Sequence, residues 1–422
     1  MKNYDLIVVG AGPAGMMGAI EAAHRGCSVA VLERNKEAGR KLKITGGGRC
    51  NVTSALDIKD FFDKIPHNSK FLYKAFQNFS NRDLLDLFEE RGIAFHREGF
   101  KIYPSSNDSA EIIECLLREM KAQGAELLTD TMMRNFIRDE EGISVNTSRG
   151  MMRSKAILLA SGGNSFPALG SDWNVHELLS DKIRIFPPMP SLVQIHSNAG
   201  WITRSMGISV EDASLTVLER DKKVCSLRGA MIFTHSGISG PAVLDASAMI
   251  TGRALGDIRI RLDLLPEIEE QEITAMLRTK DRKNIVNRFA HFLPKNLLRN
   301  IFGDIDDKAD FQNMKKAQLK ELVDRLKNAN VNITGLGTIK EAIVTRGGID
   351  VREIDPSTMA LKKMEDVFVA GEMIDVDGFT GGYNLQIAFS TGALAGRSAA
   401  QKIADLGGYR KIHDKSSLVR GK

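Results

Sequence analysis

Apolar residues along this chain switch between two periods, and glycine marks most of the switches. The first block, Leu6 to Val9, is β-branched and aliphatic with no polar face, as in a strand buried on both sides. It runs into Gly10-x-Gly12-x-x-Gly15, after which small residues from Met16 to Arg25 take up the helical period until Gly26. A second apolar strand, Val29 to Leu32, ends on Glu33. Downstream, Phe61, Phe62, Phe71, Phe76, Leu84, Leu85 and Phe88 recur at helical spacing and predict helices over 59–92, with a further helix over 109–123. Hairpin punctuation then separates strands expected at 126–137, 143–147 and 156–160.

The proline cluster around Pro187, Pro188 and Pro190 marks a boundary. Beyond it, 191–195, 214–218 and 257–262 alternate apolar and polar residues, as half-buried antiparallel strands do. From 266 to 330 the chain is charged and helical, strand signals return over 331–344, and 366–404 again reads as strand, glycine-rich loop and helix. This order predicts an α/β fold. A Rossmann-type dinucleotide domain is built from both ends of the chain (1–190 and 345–410). It is interrupted by a β domain (191–265 and 331–344) that carries a helical subdomain (266–330), and a basic tail covers 411–422.

The bulk numbers narrow the function classes. In 422 residues, 43% are hydrophobic, 26% are charged and the formal charge is +5, which permits nucleic acid as a partner without demanding it. The first strand begins almost at once, leaving no room for a signal peptide, and no apolar run is long enough to span a bilayer. Cys27, Cys50, Cys115 and Cys225 lack CxxC spacing, which argues against structural zinc and for a reducing compartment, so a cytoplasmic location and no metal are expected.

The chemistry concentrates in a few constellations. Gly10 permits the tight turn, Gly12 lets the backbone approach a pyrophosphate, Gly15 lets helix and strand pack closely, and the helix start faces the phosphate charge. Glu33 has the spacing of a carboxylate that takes the adenosine ribose, with Arg34 counted beside it. Gly46-Gly47-Gly48-Arg49 looks like the glycine doublet with arginine of two-dinucleotide-binding flavoproteins; its alternative is a flexible loop. The strand ending at Ala160-Ser161-Gly162-Gly163 either passes under a cofactor or simply turns. After Gly371, Glu372 can hydrogen-bond ribityl hydroxyls, and the helix starting after Asn384 aims unpaired N–H groups at an anion such as the N1–C2=O edge of a reduced flavin. His235 is either a proton donor or a cap for the helix that follows it. Cys50, in a basic neighbourhood of the kind that lowers a thiol pKa, lines the reactive face with Tyr383 or merely packs.

These motifs resemble the BaiN/RdsA family of FAD-dependent oxidoreductases, also described as aminoacetone-oxidase-like. The matching stretches are Gly10-x-Gly12-x-x-Gly15, Lys43-x-x-Gly-Gly-Gly-Arg-Cys-Asn51, Ala160-Ser-Gly-Gly163, Thr234-His-x-Gly-x-Ser-Gly-Pro241, Thr345-x-Gly-Gly348 and the long irregular run from Gly371 to Gln386. The resemblance implies a Rossmann-type FAD domain with an inserted β-barrel and a helical cap. It implies Gly10, Ala14 and Gly15 at the pyrophosphate, Glu33 at the ribose, Arg40, Lys41, Gly48 and Asn51 flanking phosphates and flavin, and Met133 offering backbone to the adenine. It also implies Glu372 and Asp377 at the ribityl chain and pyrophosphate, with Asn384, Leu385 and Gln386 at the isoalloxazine ring. Glu372 stands where Gly-Asp is commoner, so Asp375 is an alternative for the ribityl contact.

The expected activity is hydride transfer between FAD and a small organic substrate, as amine or alcohol oxidation or as enone or imine reduction. No second GxGxxG has its own βαβ context, so NAD(P)H, if used, binds transiently. The alternatives are an FAD-dependent RNA-modifying enzyme and a flavin-binding regulatory protein without turnover. The lack of a basic–aromatic array makes nucleic acid the less expected partner.

Overall fold

Five strands in one direction form the centre of the N- and C-terminal part of the chain: Lys2–Val9, Val29–Leu32, Glu126–Leu128, Gly150–Leu159 and Met364–Val369. Their spatial order is third, second, first, fourth, fifth, the order of a dinucleotide-binding doubly wound sheet. The register is continuous across it: Leu6 faces Val29, Ile7 faces Ile157, and Leu159 faces Val369. Leu6, Ile7 and Val8 are wholly buried, which is why this strand carries no polar alternation. The computed structural model describes residues 2–280, 283–306 and 309–417. The chain divides into two compact units, Met1–Met189 with Val344–Lys422, and Pro190–Ile343.

In the first unit, a helix over Pro13–His24 connects the first two strands, with proline in its first turn, where no backbone N–H is missed. A long helix, Tyr383–Ser417, follows the fifth strand and lies against it. The basic tail expected at 411–422 is thus helix to Ser417, and 418–422 lie outside the described residues. Glycine lets the two helix backbones nearly touch: a Cβ on Gly396 would stand 2.8 Å from the Gly18 Cα.

The strand expected over 126–137 is two strands, Glu126–Leu128 and Met133–Asp139. Between them Asp130 takes φ 50°, and the backbone N–H groups of Asp130 and Thr131 donate to Asn35 and Glu33 carbonyls instead of to a ladder. The second piece forms a hairpin with Gly142–Thr147, which pairs antiparallel with Gly150–Leu159. The helical region over 59–92 is shorter pieces, among them 3-10 turns at Ile58–Lys64 and Ser69–Leu72 and helices at Tyr73–Asn78 and Asn81–Glu89.

The second unit is built on a seven-stranded sheet in the order Ala329–Val331, Ile258–Asp263, Ser209–Glu219, Lys222–Thr234, Gly237–Ser239, Ile195–Ser197, Ile333–Leu336. Only Asn332 separates the two terminal strands of that order, so the sheet curls until its edges meet in the chain. The strand expected over 191–195 is broken in the middle: one strand, Ile185–Ser191, ends there and another, Ile195–Ser197, begins, while Leu192 turns at φ 57° and the Val193 N–H donates to the Ser247 hydroxyl. Helices Glu270–Leu277, Ile285–Phe289, Lys295–Phe302 and Lys316–Lys327 share one core with the sheet, where Leu215, Val217 and Ile260 pack in the same cluster as Phe289, Leu297 and Leu322. Each such fully buried side chain is worth about 1.5–3 kcal/mol of transfer free energy.

Candidate functional site

The carboxyl ends of the parallel strands carry the glycine-rich motifs, and backbone hydrogen bonds hold those ends together. Gly10 N–H donates to the Leu32 carbonyl at 2.8 Å, Ala160 N–H to Val9 at 2.9 Å, and Ala370 N–H to Leu159 at 3.1 Å. Ligands of open α/β sheets bind beyond these ends, where the strand order reverses, here between Lys2–Val9 and Gly150–Leu159. Gly10 sits there with φ 102°, and a Cβ on it would stand 2.5 Å from the Ala160 carbonyl oxygen, so the turn admits only glycine.

Gly12 differs in kind. Its backbone is ordinary (φ −85°) and a Cβ would meet nothing within 4 Å, so open space lies before it. It precedes the helix Pro13–His24, which has no side-chain cap. Unpaired N–H groups of an uncapped, half-buried helix start facing open space suit a phosphate anion. Gly47 and Gly48 are also open in front, on a short turn where Gly46 and Gly47 both have positive φ. A dinucleotide fits this arrangement.

Glu33, at the end of the second strand, is 7% exposed. Its Oε2 accepts from Ala11 N–H at 3.1 Å, and its Oε1 accepts from the backbone and side chain of Asn35 at 2.8 and 2.7 Å. Arg40 donates to Asn35 Oδ1 at 2.9 Å, so acid, amide and guanidinium form one chain of contacts, while Arg34 pairs with Asp172. Met133 is buried at the start of its strand opposite Thr147.

A second network links residues far apart in sequence. Lys41 Nζ donates to Glu372 Oε2 and to Ser165 Oγ, both at 2.6 Å. Glu372 Oε1 accepts from Thr345 N–H at 2.7 Å and Ser165 Oγ at 3.0 Å, while Thr345 Oγ1 accepts from Asn164 and Ser165 N–H at 2.7 and 2.9 Å. Ser161 Oγ donates to the Met373 sulfur at 2.9 Å, and Gly162 holds φ 86° beside it. Gly371 has φ 67° and a Cβ there would lie 2.9 Å from that of Ala14, which brings the C-terminal motif against the N-terminal loop.

Beyond Gly371 the chain folds back on the start of the long helix. Asn384 accepts from Gly378 N–H at 2.8 Å and donates to the Gly378 carbonyl at 2.7 Å. Gln386 is wholly buried, accepting from Thr53 Oγ1 at 2.7 Å and donating to Ser390 at 3.0 Å, with Leu385 half-buried beside it. Tyr383 is 5% exposed, its ring edge-on to Phe61 at 5.0 Å. Asp377 is buried and lies 2.9 Å from His67 Nδ1, and burial pushes the Asp375 carboxyl up.

Cys50 corrects an expectation. The thiol is wholly buried, and burial pushes its pKa up to about 12, against a weaker opposing hydrogen bond from Thr45. The basic side chains that suggested a lowered pKa point elsewhere: Arg49 lies over the Tyr103 ring, 4.2 Å from its centroid, and pairs with Glu98 at 2.6 Å. Asn51, next in the chain, accepts from Ile102 N–H at 3.2 Å. His235 lies exposed in the second unit, in the turn between Lys222–Thr234 and Gly237–Ser239, and makes no cap for the helix Pro241–Ile250.

Sequence reasoning missed His67, Asn68, Ser165 and His176. None sits in a glycine motif, and each meets its partner across more than a hundred residues, so no local signal marked it. Among the described residues there is no cluster of three or more His, Cys, Asp or Glu placed for a metal, and no helix is long and apolar enough to cross a membrane.

A family model described as the HI0933-like protein Rossmann domain matches residues 4–398. The chain is 29% identical to the 3-dehydro-bile acid delta(4,6)-reductase of Clostridium scindens, covering 94% of this chain and 98% of that protein. It is 30% identical to the ribosomal RNA dihydrouridine synthase of Haemophilus influenzae, covering 93% and 97%. Among solved structures, the 3-ketosteroid-delta4-(5alpha)-dehydrogenase from Rhodococcus jostii RHA1 shares the fold with a TM-score of 0.53 at 15% identity, over 94% of this chain and 97% of that one.

Proposed function

As the chain belongs to the HI0933-like family of FAD-dependent oxidoreductases, we propose that it is a reductase acting on a carbon–carbon double bond conjugated to a carbonyl in a small cyclic substrate. The observation that carries the proposal is the open space in front of Gly12 at the uncapped start of the helix Pro13–His24, set where the strand order reverses and beside the C-terminal motif. The choice of reaction comes from the relatives. A delta(4,6)-reductase and a dihydrouridine synthase, by their names, both saturate a ring double bond. A 3-oxo-steroid diene and a uracil both hold that bond in conjugation with a carbonyl, so one hydride and one proton complete either reaction.

Bound FAD supplies hydride chemistry, and the protein supplies binding, orientation and proton handling. Gly10, Gly12, Ala14 and Gly15 hold the pyrophosphate, Glu33 and Asn35 the ribose, and the Lys41–Glu372–Thr345 network the ribityl side. The helix start at Tyr383 to Gln386 stabilises negative charge on the ring. Cys50 packs; at neutral pH its thiol stays protonated. A dihydronicotinamide, bound transiently, is the proposed reductant, and four free cysteines suit a reducing compartment such as the cytoplasm.

Ribosomal RNA is the second reading, favoured by the dihydrouridine synthase relatives. Charge on the second unit supports the small substrate instead. Several of its exposed arginines pair with acids, as in Arg220–Asp257, Arg253–Glu219 and Arg259–Asp221, which offsets part of the positive charge a polyanion would need. The test is anaerobic reduction of FAD-loaded protein with NADH and NADPH, followed by reoxidation with a steroid dienone, simple cyclic enones or uridine-containing rRNA. Reoxidation by none of them refutes the reductase reading; reoxidation by rRNA alone replaces the small substrate with RNA.

A further inference from the structure

The segment from Lys64 to Asn68 is stapled along the C-terminal motif by three contacts. Phe379 N–H donates to the Lys64 carbonyl at 2.8 Å, Asn68 Nδ2 donates to the Asp375 carbonyl at 2.7 Å, and His67 Nδ1 lies 2.9 Å from Asp377 Oδ1. The two ends of the central pair differ in exposure: the Asp377 side chain is 0% exposed and that of His67 is 23% exposed. A carboxylate only accepts, so Nδ1 carries the proton toward Asp377, and the ring is fixed in one tautomer and orientation with Nε2 as its other functional atom.

The place of this pair gives it meaning. Asp377 directly precedes Gly378, whose N–H and carbonyl are both bound by Asn384 in the first turn of the long helix. Tyr383, at that helix start, packs on Phe61, in the same stretch of chain that leads to His67. An oriented histidine backed by a buried acid therefore stands beside the helix start assigned to the electron-accepting ring. Saturating a conjugated double bond needs a donor there. Hydride adds to one carbon, the electron pair of the double bond moves toward the carbonyl, and the neighbouring carbon takes a proton. The two electrons come from the dihydronicotinamide.

Resting on the reductase reading above, we propose that His67 is the catalytic proton donor: the imidazolium gives its Nε2 proton to the substrate carbon, which leaves the neutral Nδ1–H tautomer on Asp377, and Nε2 then takes a proton from solvent, while Asp377 is the positioning residue that holds the ring.

Two measurements test this. First, apoprotein and FAD-reconstituted protein with a saturated product analogue are treated with diethyl pyrocarbonate and the modified histidines are mapped. His67 should be protected in the loaded protein, while His96, 34% exposed on the strand Phe95–Glu98, should react in both. Second, the two half-reactions are timed separately in His67→Gln and His67→Ala. The loss should fall on substrate reduction, by roughly 10²-fold or more, and far less on flavin reduction. Imidazole added to His67→Ala should restore substrate reduction saturably, and Asp377→Asn should show the same asymmetry. Equal modification of His67 with and without ligand, or wild-type substrate reduction in His67→Gln, overturns the assignment alone. Wild-type protein whose reduced flavin is reoxidised by no conjugated carbonyl overturns the reductase reading and the assignment with it.

Discussion

Gly392 of the long helix lies against Ala14 of the first helix so closely that a Cβ on the glycine would overlap the Ala14 carbonyl oxygen and stand 2.9 Å from its carbon. Ala14 in turn touches Gly371, so this contact sets the distance between the two motifs that flank the site. Gly392→Val forces the helices apart. It should lower stability by about 1–3 kcal/mol or more, as overpacking of a tight core does, and weaken FAD retention along with it. Thermal denaturation and the flavin content of purified protein measure both; an unchanged melting temperature would show that the seam yields freely.

Gly12→Val makes the complementary case. Its backbone conformation suits valine and a Cβ meets nothing within 4 Å, so the apoprotein should melt as wild type does. The side chain nonetheless fills the space before the helix start. Loss of even one charge-assisted phosphate contact, about 1.5–3 kcal/mol, weakens FAD binding at least about tenfold. Titration of apoprotein with FAD reads this directly, and wild-type affinity would move the pyrophosphate elsewhere.

The contrast between those two glycines shows what the sequence could reveal. The strand, turn and helix around Gly10, Gly12 and Gly15 were legible because local sterics decide them, and the strand Val29–Leu32 was found to the residue. Continuous apolar runs marked strands buried on both faces. Tertiary contacts were not legible: Lys41 meets Glu372 across 331 positions and His67 meets Asp377 across 310, with nothing local to announce either pair. The same cause broke the strand expected over 126–137, where Thr131 bonds Glu33 rather than a neighbouring strand. The Cys50 pKa was misjudged because spacing along the chain says nothing about burial, and burial dominates that thiol.

Glu21 should make stability depend on acid. Burial opposes its charge, but bonds from Arg397 (2.9 and 2.8 Å) and Arg25 (2.6 Å) outweigh that and hold the carboxyl below its usual range. A lowered folded pKa gives stability that is fully present above the unfolded value, near 4.5, and lost as pH falls through the folded one. Glu21→Gln should therefore cost about 2 kcal/mol at pH 7 and progressively less below pH 4.5. Urea unfolding at a series of pH values checks the sign; a difference that persists undiminished at pH 2.5 would contradict it.

His176 acts at higher pH. It is wholly buried, stacked on Trp173 at 3.7 Å, and its Nε2 lies 3.1 Å from the Met373 carbonyl, while burial lowers its pKa from 6.5 to about 4. The unfolded chain binds this proton first, so stability holds above pH 6.5 and declines as pH falls from there toward 4. The total over that window is on the order of 3 kcal/mol. His176→Phe should remove that slope, even though its stability at pH 7 drops with the lost bond to Met373. Parallel pH profiles for variant and wild type would overturn the assignment.

The fifth parallel strand, Met364–Val369, has a consequence for synthesis on the ribosome. Residues 190–343 are contiguous and can collapse as they emerge, but the sheet that holds Gly10 lacks its last parallel strand until roughly six-sevenths of the chain has been translated. Until then Gly150–Leu159 presents one unpaired edge over its last residues, an aliphatic template for misassembly. Nascent chains should therefore be most vulnerable, and most in need of a holding chaperone, during the interval between translation of Leu159 and that of Val369.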